Sequence, residues 1–248
     1  GLNLGWIEIV GEDAETTIER SALTINFTID DYGFNSFPAF GVSKGGILPI
    51  VGQLFVMDYS GDGALRHGVM AIDNSRATIM ENCGVKNAGG HGIYATRAST
   101  INANGADASG AGGNGFFANQ ASKINANGAD ASGAGGHGVC ASRSSTIEAI
   151  NVNASGAGGH GVYASQSSTI EAWGADASGA GEHGVYANQA SIINAIAANA
   201  RKGEVDSAED IYVLNGSIIK IMPTGDNQTI GGTNQDINTL TRNGIIFG

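Results

Sequence analysis

The chain has 248 residues, 40 of them glycine and only 3 proline, with a formal net charge of −11 and a pI near 4.7. That acidity argues against a nucleic-acid surface and against docking on an anionic membrane, since both call for basic patches. No run of about 18 apolar residues offers a transmembrane helix, and no glycine-rich stretch stands in the strand–GxGxxG–helix or GxxxxGK[ST] setting of a nucleotide loop, so neither membrane insertion nor a cofactor is expected.

Residues 1–63 carry no regular period. Trp6-Ile7-Glu8-Ile9 and Ile25-Asn26-Phe27-Thr28-Ile29 alternate like strands, Leu54-Phe55-Val56-Met57 reads as another, and Ser60-Gly61-Asp62-Gly63 reads as a turn. Tyr32 to Gly46, rich in aromatics, glycine and proline, reads as a loop projecting from an early, wider coil.

A repeat governs the middle of the chain. His91, Asn114, His137, His160 and His183 stand 23 residues apart, each followed by glycine. Counted from that residue, offset two is a larger apolar side chain (Ile93, Phe116, Val139, Val162, Val185), offsets four and twelve are alanine, offset ten is isoleucine, and offsets fifteen and seventeen are alanine or valine. Three apolar pairs, each spaced by two, describe three short strands per coil with alternate side chains facing inward. Ser-Gly-Ala-Gly forms the longest turn, with glycine allowing positive φ. Glycine this dense, with no apolar spacing of three and four, excludes helix.

A single coil cannot bury a core, whereas stacked coils bury a continuous one. The expected fold is all-β, a right-handed parallel β-helix of about 23 residues per coil, since parallel crossovers are overwhelmingly of that hand. The regular stack is expected over residues 64–222, in about seven coils. The coil opened by His67 is 24 residues long, which predicts a bulge or longer turn between Ile72 and Asn82. The turn expands again at 201–208, and Ile211, Val213, Ile219 and Ile221 widen the core of the last coil. Residues 223–248 break the pattern and supply either a cap for the open end or a trimerisation tail. Cys83 falls in an inward column and Cys140 in an outward one, too far apart to pair. The chain begins at Gly1 without a visible signal peptide, as expected of a piece cut from a longer protein.

The repeat GxHGVYASxxSTIxAxxADASGAG resembles the β-helical shafts of bacteriophage tailspikes and tail fibres. FPAFGVSKGGILPIVGQLF (37–55) and NTLTRNGIIFG (238–248) are similar to segments near the C-termini of such proteins. The resemblance implies a homotrimer at the virion tail that recognises bacterial surface polysaccharide, capsule or lipopolysaccharide. Many members also cleave that polysaccharide, but no catalytic motif of the family maps onto this chain. A depolymerase and an autotransporter-type adhesin passenger are the alternatives.

Three outward columns are candidate sites. Tyr94, Phe117, Tyr163 and Tyr186 at offset three suit either stacking on sugar rings or burial between subunits, with the interface preferred. Trp173, alone at offset thirteen, is the better glycan-stacking candidate. Glu148 and Glu171, one coil apart, approach the ~5–5.5 Å carboxylate spacing of a retaining glycosidase, and Asp176 shares the coil of Glu171. A solvated acidic face is nevertheless preferred over catalysis there, because no cleft is evident. His91, Asn114, His137, His160 and His183 read as a structural stack. A linear column does not converge the roughly four ligands of a closed zinc site, so no metal is expected. Acidification is expected to loosen the stack by like-charge repulsion.

Overall fold

The computed structural model describes residues 38–48, 67–200 and 210–221, together with the strands Glu8–Val10, Ile50–Gly52, Val56–Asp58 and Ile245–Phe247. It is a parallel β-solenoid with two eight-stranded sheets. The first runs from Phe40–Val42 through Val69–Ala71, Ile93–Ala95, Phe116–Asn119, Val139–Ser142, Val162–Ala164 and Val185–Ala187 to Ile211–Val213. The second runs from Arg76–Thr78 through Thr100–Asn102, Lys123–Asn125, Thr146–Glu148, Thr169–Glu171, Ile192–Asn194 and Ile218–Lys220 to Ile245–Phe247. Register follows the repeat, with Ile124 on Ile147, Ile147 on Ile170 and Ile170 on Ile193. The tail therefore adds its own strand to the end of the second sheet, with Ile245 opposite Ile218.

The third side of the coil departs from the expected strand. It is reduced to one bridging residue per coil, Asp107 to Asp130 to Asn153 to Asp176 to Asn199. In the coil of His91 the segment is pinned between two left-handed glycines, Gly105 and Gly110, both at φ 66°, which leaves no length for a ladder. Among the described residues, a true strand pair on this side appears early, between Val56–Asp58 and Gly84–Lys86.

The inward columns form one continuous core: Ile101, Ile124, Ile147, Ile170 and Ile193 are all fully buried, as are the alanines opposite them. Alanine at Ala111, Ala134, Ala157 and Ala180 within the long turn is also buried, which the apolar pairs did not anticipate. The glycine after each histidine is fixed by sterics: a Cβ on Gly138 would lie 2.6 Å from the Cβ of Ala154 and 2.8 Å from the carbonyl oxygen of Gly161.

Three sequence expectations change. Part of the projecting loop lies in the solenoid, because Phe40–Val42 pairs with Val69–Ala71 across a 29-residue coil. The extra residue of the His67 coil falls beyond the expected stretch of Ile72 to Asn82: Asn82 N–H still bonds the carbonyl of Gly105, 23 residues on, whereas Val85 bonds Asp107, 22 residues on, so the slip sits between Asn82 and Val85. Cys140 is buried despite its outward column, between Phe117 and Tyr163 in register, and burial pushes its thiol up to about 12. Both cysteines are free, as the spacing requires. The strand expected at 25–29 and the turn at 60–63 lie outside the described residues.

Candidate functional site: the outward columns of the solenoid

The histidine column is a backbone-binding ladder. The main-chain N–H of each member donates to the side chain one coil earlier: His91 to His67 Nδ1, Asn114 to His91 Nδ1, His137 to Asn114 Oδ1, His160 to His137 Nδ1 and His183 to His160 Nδ1, at 2.9 to 3.1 Å. Asn114 is thus a functional equivalent, its amide oxygen standing where the other coils place Nδ1. The rings stack at 5.0 Å for His67–His91, 4.9 Å for His137–His160 and 5.2 Å for His160–His183. Burial holds His67 and His137 down to about 4, and burial with neighbouring imidazoles holds His91 and His160 down to about 3.

That hydrogen-bond direction decides the metal question. His137, His160 and Glu182 bring ligand atoms within 4.8 Å of one another, and His160 Nε2 stands 3.0 Å from Glu182 Oε2. Since Nδ1 of both rings accepts, the ring proton of the neutral imidazole stands on Nε2. A metal at Nε2 would require either imidazolates or the loss of two inter-coil hydrogen bonds. The arrangement fits an N–H donor on a carboxylate rather than a cation site.

The aromatic column lies beside the histidines. Tyr94 stacks on Phe117 with centroids 5.1 Å apart and planes 6° from parallel, and Tyr163 stacks on Tyr186 at 5.1 Å and 17°. The histidine rings meet them obliquely, as in His91–Phe117 at 4.8 Å and His160–Tyr186 at 4.7 Å. The ring faces of Tyr94, Phe117, Tyr163 and Tyr186 are thus turned toward neighbouring coils, not outward as sugar platforms.

The second sheet brings the proposed carboxylates into register, Glu148 directly beside Glu171. Each is already engaged. Lys123 Nζ lies 2.6 Å from Glu148 Oε1, and Asn194 Nδ2 donates to Glu171 Oε2 at 2.9 Å. Asp176 stands apart from them in the bridge ladder of the third side, where its Oδ1 accepts from Ser178 N–H and Asn199 Nδ2. The structure therefore pairs two of the three candidates and separates the third.

A column that the apolar count passed over proves structural. Offset eight is serine in every regular coil, and Ser75, Ser99, Ser122, Ser145, Ser168, Ser191 and Ser217 are all buried. From Ser99 onward each Oγ accepts the main-chain N–H of the serine one coil earlier, as Ser99 N–H to Ser122 Oγ at 3.1 Å and Ser122 N–H to Ser145 Oγ at 3.2 Å. Its polarity runs opposite to that of the histidine ladder. The invariant serine was visible in the repeat, but a hydroxyl between strands reads by default as turn chemistry.

Trp173 stands at a corner of the coil and is 45% exposed, with no aromatic ring against it among the described residues. Further along the same corner a groove of about 360 Å³ opens beside Met80, Asn102, Asn104 and Asn127.

A family model described as the right-handed β-helix region matches residues 58–200. No curated protein matches the chain. Among the described residues no helix is long and apolar enough to cross a membrane.

Proposed function

Because the chain belongs to the right-handed β-helix family, we propose that it is the receptor-binding region of a phage tailspike or tail fibre, a rigid trimeric rod at the virion tail that recognises bacterial surface polysaccharide. The observation that carries this reading is the regular stack itself. Its first sheet pairs coil to coil without a break from Val69 to Ala187, and its outward surface, among the described residues, carries amides, hydroxyls and an open indole at Trp173. Polar groups held at fixed spacing beside an aromatic platform suit sugar hydroxyls and sugar faces.

Binding is favoured over cleavage. A retaining glycosidase needs one carboxyl free to reach the leaving group and the other free to attack, whereas Glu148 is ion-paired with Lys123 and Glu171 accepts from the Asn194 amide. The test is saturable binding of the purified protein to capsule and lipopolysaccharide extracted from candidate hosts, with the mass in solution measured by sedimentation equilibrium. A trimer that binds one extract is the expected result. A monomer that binds none of them would overturn the proposal.

A further inference from the structure

We infer that a linear, uncharged polysaccharide lies along one corner of the solenoid, parallel to its axis, from the groove beside Asn102 and Asn127 to Trp173. This rests on the glycan-binding reading above and assigns to it a place and a substrate class.

The corner is offset thirteen of the repeat: Met80, Asn104, Asn127, Ile150, Trp173 and Ile196. Among the described residues the exposed large apolar side chains are Met80 at 46%, Ile150 at 36%, Trp173 at 45% and Ile192 at 44%. Three of those four stand in this one column, so the exposure is organised rather than scattered. At ~4.8 Å per coil the six positions span about 24 Å, and one extended sugar unit is of the same order as one coil.

The amides interleaved with the apolar groups are aimed for recognition. Asn104 Oδ1 accepts the N–H of Asn127 at 3.0 Å, and Asn127 Oδ1 accepts the N–H of Ile150 at 2.9 Å. Those bonds fix the side chains and leave each Nδ2 group as a donor at the surface. The groove of about 360 Å³ lies here, lined by Met80, Asn104, Gly105, Asn127 and Gly128 among others. It lies where the 24-residue coil of His67, which slips register after Asn82, meets the regular coil that succeeds it, with Met80 exposed at its side. Apolar faces alternating with amide donors match the faces and hydroxyls of pyranose rings.

Two observations exclude other occupants. A peptide strand would need free backbone groups, but main-chain bonds at this corner are closed between coils, as Gly105 N–H to Asn127, Gly128 N–H to Ile150 and Asn151 N–H to Trp173. An acidic polymer would meet Glu81 in the groove and Glu171 on the strand position nearest the corner, on a chain of net charge −11.

The experiment measures affinity calorimetrically for neutral hexose polymers (glucan, mannan, galactan) and for polyuronates of matched length. It uses the whole chain and the variants Trp173→Ala, Asn102→Tyr, which fills the groove from an exposed strand position, and Tyr163→Phe on the opposite ladder. The expected result is binding of a neutral polymer, weakened at least about tenfold by either corner variant at unchanged melting temperature, with Tyr163→Phe equal to the parent. Neutral-polymer binding that both folded corner variants retain overturns the corner assignment and leaves the glycan reading standing. Binding of polyuronates alone overturns the substrate class. Binding of neither class overturns the glycan reading and this inference with it.

Discussion

His67, His91, His137 and His160 are each held neutral by what surrounds them. A proton added to the ring must stand on Nδ1, which already accepts a main-chain N–H, in a place that water reaches poorly. The cause is desolvation first and neighbouring imidazoles second, a change of emphasis from the like-charge repulsion expected from the sequence. The sign comes from proton counting. Below about 6.5 the unfolded chain binds protons that the folded chain refuses until about 3 to 4, so stability is complete above that range and falls as pH falls through it. Each of these four rings contributes on the order of 1–2 kcal/mol between pH 7 and 5. The melting temperature is therefore expected to drop between pH 7 and 5, and to drop less in His137→Asn, which keeps the acceptor that Asn114 already supplies in its own coil. A flat profile in the parent protein would contradict this. Asn114 made that equivalence legible in the sequence, whereas the direction of the bonds was not, because spacing gives neighbours and not donors.

At the scale of the coil, the inward columns were legible because period two and period 23 act together: each residue has a fixed face and a fixed neighbour. What a column faces is a weaker guide to burial. Cys140 points outward, yet the rings of Phe117 and Tyr163 on either side cover so small a side chain. The third strand failed for a local reason, since Gly105 and Gly110 turn the backbone on both sides of Asp107. The serine ladder shows how side chains take over where strands end. Ser145→Ala would leave the buried N–H of Ser122 without its acceptor, at a cost of about 1–3 kcal/mol, and Ser145→Thr would restore it if the methyl is accommodated. Chemical denaturation of the three proteins measures this. An alanine variant as stable as the parent would show that the ladder is dispensable.

At the scale of the whole molecule, stability is a sum over neighbouring coils, and function lies on the outside of a rod whose inside is nearly invariant. The fold could be read from the repeat. The groove could not, since it arises where an irregular coil meets a regular one, and period arithmetic describes only the regular part. The Glu148–Glu171 pair was legible as a pair, but the partners that occupy it, Lys123 and Asn194, come from the coils before and after it. Those partners are the ground on which binding is proposed over cleavage at this surface. The most direct test tracks polymer length and new reducing ends while the protein is incubated with a polysaccharide that it binds. Bound polymer of unchanged length is the predicted result. Progressive shortening, abolished by Glu148→Gln or Glu171→Gln, would contradict it and make the same surface a depolymerase.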